Sequence, residues 1–279
     1  VTPNDSAANP LTLGVFLLLR DLIRERLGVW FEEEKRDLLA SKLSDRIAAL
    51  GLRSFLDYYY LLKYGPGSEV EWPRLTDALS VQETYFWREY DQIKALIDIL
   101  LPQHVADNRG PIRIWSAACA TGEEPLTLVM ALEESGWFGR ADVQVWASDF
   151  SPAALAHAEQ GLYRERSFRA IPTHLRARYF TSEGNRWRVA PRIQSRVRYA
   201  KANLLDQVEI GRLATAPFIF CRNVFIYFSL TTISQVVASF AARMPRPAHL
   251  FVGTSESLLR VKTAFELQEV GQAFVYVVK

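Results

Sequence analysis

Cysteine is scarce in this 279-residue chain: Cys119 and Cys221 are the only two, and they lie far apart. They form no disulfide framework, so a reducing cytoplasm is the natural compartment. Histidine is scarce too. His104, His157, His174 and His249 show no metal-ligand spacing, and no resident metal is expected. Long apolar runs are missing. "LTLGVFLLL" (11–19) is closed by Arg20 and Asp21 and is too short to span a bilayer. No positive charge precedes it, as a secretory leader would require, so a buried helix is expected there and no membrane insertion. Neither charge sign dominates: 33 Lys and Arg face 31 Asp and Glu, a net charge of +2. That excludes a strong global pull toward nucleic acid and leaves room only for local basic patches. Repeats and low-complexity tracts are absent as well. The remainder is ordinary globular composition, with 49% hydrophobic residues, ample for a core in one large domain or two unequal ones.

The first 80 residues read as helices. From Phe31 to Leu50, the residues Leu39, Leu43, Ile47 and Leu50 fall on one helical stripe, and Gly51 is a natural stop. Ser54 followed by Asp57 has the form of a capping box for a helix through "YYYLLKY", which "GPG" (65–67) ends. A further short helix is predicted over 70–79. From Ile112 strands and helices alternate. "IRIWSA" (112–117), "DVQVWASD" (142–149) and "PFIFC" (217–221) read as strands, "SPAALAHAEQG" as a helix from Ser151 to Gly161, and 230–244 as another helix. "HLFVGTSE" (249–256) and the β-rich tail complete the pattern. Such alternation means a mostly parallel sheet covered by helices, an α/β fold. The arginine-rich segment 179–201 interrupts it and is predicted to be a small antiparallel insertion.

"WSAACATGEEP" (115–125) sits where many α/β enzymes hold a cofactor, between the first strand and its helix. Ala117, Ala118, Ala120 and Gly122 are small enough for close backbone approach to a ligand. A phosphate would favour bare N–H groups at the helix start. This turn carries Glu123 and Glu124 instead, which would repel a phosphate and suit a cation. The acids also complement the helix dipole, which explains them equally well taken alone. Asp149 ends the second strand, where an acid commonly accepts hydrogen bonds from a ribose diol or caps the next helix. Together these features favour a positively charged nucleoside without phosphate, and S-adenosylmethionine fits.

"ETYFWRE" (83–89), "WSAACATGEEP" (115–125), "ASDFSPAAL" (147–155), "GLYRE" (161–165), "NLL" (203–205), "FCRNVFIYF" (220–228) and "LFVGTSES" (250–257) stand in the order and spacing of one family. The chain resembles the CheR-type chemoreceptor glutamate methyltransferases from about Phe31 to its C-terminus. The resemblance implies an all-helical domain over 1–80 for receptor recognition and an inter-domain segment over 81–110. A Rossmann-like methyltransferase domain would follow over 111–279, with the β insertion at about 179–201. It implies methyl transfer from S-adenosylmethionine to glutamate side chains of chemoreceptors, with S-adenosylhomocysteine as product. By position, Gln82, Thr84, Arg88, Ala118, Glu123, Asp149, Asn203, Leu204, Arg222 and Asn223 would bind the cofactor. Arg88 would meet the methionine carboxylate, Glu123 the amino group, Asp149 the ribose, and Asn203 and Leu204 the adenine. Arg222 and Asn223 would close the site. Tyr227, near the methyl group, and Arg88 would act in catalysis. The turn around "SEGN" is shorter than in members that dock a receptor's C-terminal pentapeptide.

A glutamate acceptor, with a pKa of about 4.3, is already ionised at neutral pH, so no general base is required. Proximity, alignment and shedding of water would carry the reaction. Lys35, Lys42, Arg46 and Arg53 offer a basic face to acidic receptor helices, although a solvated charged face explains them equally well. The arginines at 186, 188, 192, 196 and 198 would form a second basic patch. Two other readings stay open: a non-catalytic module that binds S-adenosylmethionine, and a methyltransferase with a different substrate.

Overall fold

The computed structural model describes residues 10–80 and 83–279. The chain divides into two compact units, Val1–Val81 with Tyr227–Ser229, and Gln82–Ile226 with Leu230–Lys279. The short stretch 227–229 belongs to the first unit. There the Trp30 N–H donates to the Tyr227 carbonyl at 2.8 Å, and Val29 bridges Phe228.

The first unit contains α1 (Leu13–Leu27), α2 (Arg36–Ala49), α3 (Phe55–Tyr64) and α4 (Ser68–Leu79). Helix α1 covers the apolar run expected to be a buried helix, and it buries one face. Phe16, Leu19, Ile23 and Leu27 form the buried stripe at spacings of three and four, while Leu13 and Leu18 face solvent. On α2 three of the four expected stripe residues, Leu39, Leu43 and Ile47, are buried, while Leu50 lies at the helix end, half-buried, and Gly51, at φ +66°, turns the chain just past it. Ser54 caps α3 by accepting the Asp57 N–H at 3.1 Å.

Three of these helices are tied by one buried carboxylate. Glu71 on α4 receives the Arg46 guanidinium from α2 through two bonds of 2.8 and 2.7 Å, and the Tyr58 hydroxyl from α3 at 2.8 Å. Burial and the neighbouring carboxylate push the Tyr58 hydroxyl far above its ordinary pKa, so it stays a donor. The basic face expected for a partner therefore loses two of its four members to internal work. Arg46 is bound to Glu71, and the Lys42 ammonium donates to the Ala78 and Leu79 carbonyls at the end of α4 (3.1 and 3.4 Å). Lys35 and Arg53 are exposed.

The second unit opens with α5 (Tyr90–Ala95), which passes through a π-type stretch, Leu96–Leu100, into α6 (Leu101–Ala106). There follow β1 (Ile112–Ala117), α7 (Glu123–Glu134), β2 (Val143–Asp149), α8 (Pro152–Gln160), β3 (Leu162–Tyr163), α9 (Thr173–Tyr179), β4 (Phe180–Glu183) and β5 (Arg186–Val189). The chain then forms α10 (Pro191–Gln194), β6 (Val197–Lys201), β7 (Phe218–Phe220), α11 (Leu230–Arg243), β8 (Ala248–Phe251), β9 (Glu266–Val270) and β10 (Ala273–Val278). Seven strands make one sheet in the order β6-β2-β1-β7-β8-β10-β9. The first five are parallel and β10 is antiparallel to both its neighbours. This is the mostly parallel α/β sheet read from the sequence. Its core is aliphatic and aromatic, with Phe220 and Phe251 stacked at 4.1 Å on adjacent strands.

The insertion differs from the expected 179–201. Residues 197–201 are β6, paired with β2 from Val145↔Val197 to Asp149↔Lys201, and so belong to the main sheet. The small antiparallel sheet is β3-β5-β4 and begins at Leu162. The arginines disguise an edge strand: Val197 is buried, while Arg198 lays its guanidinium over the Trp146 ring at 5.3 Å. The five arginines are spread over several elements. Arg186 and Arg188 lie on β5, Arg192 on α10 and Arg198 on β6, with Arg196 over the Phe138 ring at 4.3 Å. Arg188 is paired with Glu183, and Arg192 with Glu133 at 3.1 Å.

Candidate functional site

Sheet register brings the site together. Ala117 pairs with Ser148, Ser116 with Phe220, and Phe220 with Phe251, so the carboxyl ends of β2, β1, β7 and β8 are level. The loop 118–122, Asp149, Arg222–Asn223 and the segment after Phe251 therefore leave the sheet side by side. Ligands of open α/β sheets bind at this edge.

The backbone there is strained. Six described residues other than glycine have positive φ. Five of them are Trp87 and Glu89, Ala118 and Ala120 in the loop, and Asn223. Each left-handed residue costs about 1–2 kcal/mol, and such strain gathers where function demands a particular geometry. Gly122, at φ +93°, leaves no room for a side chain, since a Cβ would come 2.8 Å from that of Ala158. Asp149 holds the loop: its carboxylate accepts the Ala120 N–H at 2.9 Å and the Ser151 N–H at 2.8 Å. The residue is half-buried.

The two acids opening α7 point to different surroundings. Glu123 is 2% exposed, and its oxygens accept the hydroxyls of Thr121 (2.6 Å) and Ser167 (2.9 Å). Burial raises its pKa, and these hydroxyls oppose the rise. Glu124 stays partly open. It accepts the Ser116 hydroxyl at 2.6 Å and faces Arg222 at 3.5 Å. Burial raises its pKa too, with the Arg222 charge opposing. Glu124 is the member of the pair on the Arg222 side.

Arg222 is the hub. Its guanidinium donates to the Arg88 carbonyl at 2.6 Å and lies 3.4 Å from Glu89 and 3.5 Å from Glu124. Its Nε is buried without a partner among the described residues. Asn223 donates its backbone N–H to Glu256 (2.8 Å) and its side-chain amide to Glu89 (3.3 Å), while Glu89 also accepts the Thr254 N–H at 3.0 Å. Glu89 and Glu256 lie within the motifs "ETYFWRE" and "LFVGTSES" but are not among the residues that sequence reasoning assigns to the site. Their partners Arg222 and Asn223 lie far off in sequence, 134 residues between Asn223 and Glu89 and 33 between Asn223 and Glu256, so no local pattern marks them.

Arg88 donates to the Glu83 carbonyl at 2.8 Å and lies 3.8 Å from Glu89. Its segment is anchored by Phe86, whose ring meets those of Tyr163, Phe168 and Phe180 at 4.8, 5.3 and 4.9 Å. Thr84 is half-buried in the same segment. Asn203 lies just beyond β6, next to Asp149, because the Ala202 N–H donates to the Asp149 carbonyl at 3.1 Å. The Asn203 amide oxygen accepts the Leu205 N–H at 3.0 Å, and Leu204 is buried. The structure thus gathers Arg88, Ala118, Glu124, Asp149, Asn203, Arg222 and Asn223 at one edge. Tyr227 groups with the helical unit. Gln82 lies outside the described residues. Cys119 and Cys221 are buried, and burial pushes both thiols well up, so they are protonated packing residues rather than nucleophiles. Among the described residues no group of three or more His, Cys, Asp or Glu could hold a metal, and no helix is long and apolar enough to cross a membrane.

The family model of the CheR methyltransferase SAM-binding domain matches residues 82–274, and that of the CheR methyltransferase all-alpha domain matches residues 15–80. The chain belongs to the CheR methyltransferase family. It is a methyltransferase that uses S-adenosylmethionine. It is 33% identical over 258 residues to chemotaxis protein methyltransferase 2 of Vibrio cholerae, covering 91% of this chain and 88% of that one. It is 32% identical over 265 residues to the chemotaxis protein methyltransferase of Escherichia coli, covering 91% and 87%. Chemotaxis protein methyltransferase 1 of Pseudomonas aeruginosa is 30% identical over 268 residues, covering 94% and 96%. The donor set at the sheet edge fits the cofactor of this CheR family member. S-adenosylmethionine has a ribose diol, a cationic sulfur and an ammonium, and no phosphate. Asp149 and Glu124 are partly open acceptors at the ends of neighbouring elements, and the Arg222 Nε is an unused buried donor beside them.

Proposed function

We propose that this chain methylates glutamate side chains on the cytoplasmic helices of chemoreceptors, works in the cytoplasm and releases S-adenosylhomocysteine. The observation that carries this reading is the alternating row Glu124–Arg222–Glu89 beside Asp149, at the level ends of β1, β2 and β7. Asp149 takes the ribose diol. Glu124 takes the ammonium, because it is the more open of the two acids and lies on the Arg222 side, whereas Glu123 is only 2% exposed. Arg88 takes the methionine carboxylate, with Thr84 and Gln82 beside it. Asn203 and Leu204 flank the adenine, the backbone at Ala118 approaches the ligand, and Arg222 and Asn223 close the site. Bound S-adenosylmethionine supplies an electrophilic methyl group. The residues of the chain contribute position. Arg222 is fixed by Arg88, Glu89 and Glu124, and Tyr227 orients the acceptor carboxylate, which is ionised at neutral pH and needs no base.

The helical unit receives the receptor helix. Lys35 and Arg53 provide the attraction, and Lys42 and Arg46 hold the unit's own structure. The β insertion adds contacts of its own through β5. The test is incubation with methyl-labelled cofactor and receptor cytoplasmic fragments, followed by mild base. Label released as methanol identifies a carboxyl methyl ester. Cofactor binding without transfer to any receptor fragment would overturn the proposal.

A further inference from the structure

The sheet ends before the loop that carries Arg222 and Asn223 begins. A last rung, from the Cys221 N–H to the Phe251 carbonyl at 2.9 Å, closes β7 against β8. Beyond it, 222–226 lies outside every strand, and its backbone groups need other partners. Two of its N–H groups go to one side chain. Glu256 accepts the Asn223 N–H at 2.8 Å on one oxygen and the Ile226 N–H at 3.2 Å on the other. The first oxygen also accepts the Gly253 N–H at 2.6 Å. With the return bond from the Glu256 N–H to the Gly253 carbonyl at 2.8 Å, that contact makes a local turn. The turn accounts for one of the three donors. The other two lie 33 and 30 residues earlier in the chain, so the carboxylate bridges the loop after β7 to the loop after β8.

The bridged loop has a shape that needs holding. Asn223 is left-handed at φ +59°, a conformation disfavoured for any residue with a side chain. Its side-chain amide donates at 3.3 Å to Glu89, which also accepts the Thr254 N–H at 3.0 Å, so the two loops are tied a second time. They pack closely as well. A Cβ on Gly253 would come 2.5 Å from the Asn223 amide nitrogen and 2.9 Å from Glu256, an approach that glycine permits. Glu256 is half-buried, and bonds from backbone N–H groups to a carboxylate are the stronger kind. Arg222, at the root of the loop, has its guanidinium against the Arg88 carbonyl, Glu89 and Glu124. Those contacts fix the tip of the side chain, and Glu256 fixes the backbone that follows it.

We infer that Glu256 is a positioning residue for the cofactor: it sets 222–226 in its binding shape before S-adenosylmethionine arrives. It acts through Arg222 and Asn223 rather than on the cofactor. A loop already ordered in the folded protein adds no ordering cost on binding, whereas a slack loop is ordered by the ligand at the expense of affinity. The inference rests on the cofactor lying beside Arg222 and Asn223, as proposed above, and not on the identity of the methyl acceptor.

The test is calorimetric titration of the full chain with S-adenosylhomocysteine, together with hydrogen exchange at the Asn223 and Ile226 amides. Glu256→Ala removes all three bonds, and Glu256→Gln keeps one carbonyl oxygen. Affinity should fall about tenfold in the alanine variant and about threefold in the glutamine variant. Both amides should exchange faster in both variants and regain protection when the ligand saturates them. Val237→Ala, at a fully buried position on α11 outside the loop, should lower Tm and leave affinity unchanged. Should the alanine variant fail to fold, the glutamine variant decides. A lowered Tm with wild-type affinity in the Glu256 variants would reduce Glu256 to a structural tie and overturn the proposal, as would unchanged exchange at both amides. Asp149→Ala is titrated alongside. Weakened binding there with none in the Glu256 variants removes the role of Glu256 and leaves the cofactor site standing; undiminished binding in all of them removes both.

Discussion

Replacing Asp149 by alanine should damage stability and cofactor affinity together, and the two effects have separable sizes. The carboxylate accepts two backbone N–H groups, from Ala120 at 2.9 Å and Ser151 at 2.8 Å. Hydrogen bonds to a charged group contribute about 1.5–3 kcal/mol each. Both donors are only part-buried, so water replaces some of the loss, and about 2–4 kcal/mol is the expected destabilisation. For a domain of this size that lowers Tm by about 4–16 °C. The loop has a further reason to relax. Ala118 and Ala120 sit in the left-handed region at about 1–2 kcal/mol each, and the Asp149 bond to Ala120 is one of the contacts that hold them there. Affinity for S-adenosylhomocysteine should fall at least about tenfold, from lost acceptors for the ribose diol and from the looser loop. Asp149→Asn retains one oxygen acceptor and should lie between wild type and alanine in both measures. Thermal unfolding and calorimetric titration with S-adenosylhomocysteine read the two effects. A D149A protein with unchanged Tm and unchanged affinity would refute both the clamp and the ribose assignment.

Glu124→Gln should weaken S-adenosylhomocysteine binding by about tenfold while leaving Tm nearly unchanged. Glu123→Gln should instead act chiefly on thermal stability, because its carboxylate sits among interior hydroxyls; the opposite pattern in paired titrations returns the ammonium contact to Glu123. Arg46→Ala leaves the buried Glu71 carboxylate without its guanidinium and should cost about 3–5 kcal/mol in denaturant unfolding. Lys35→Glu should leave stability alone and slow methylation of receptor fragments, more at low salt than at high. His249 is held neutral by burial, its pKa pushed down to about 4. Between its unfolded value of about 6.5 and that folded value the unfolded chain binds more protons, so stability is full above pH 6.5 and falls as pH drops toward 4, by up to about 3 kcal/mol. Acid unfolding of His249→Gln should show a shallower decline over that window; an unchanged slope would remove His249 as its cause.

Local chemistry made much of this molecule readable in advance. The stripe on α2, the Ser54 and Ser151 caps and the apolar strands β1, β2 and β7 depend on residues within a few positions of one another, and local pattern reports them directly. The acids at the strand-to-helix turn and at the end of β2 were visible for the same reason. The contents of 179–201 were not. Whether an arginine-rich strand closes a hairpin or joins the main sheet depends on hydrogen bonds to β2, some fifty residues earlier.

Sequence by itself determined the alternation of elements, the phosphate-free character of the loop and the family motifs, because each is carried by neighbouring residues. Tertiary structure alone decided which charges are available. Adjacent residues on a helix point about 100° apart, so Glu123 turned inward to Ser167 and Glu124 toward Arg222. Arg46 and Lys42 look like surface charges until α4 is folded against them and supplies Glu71 and the carbonyls of Ala78 and Leu79. A charge's role is set by the partner that packing brings to it, and packing partners are distant in sequence.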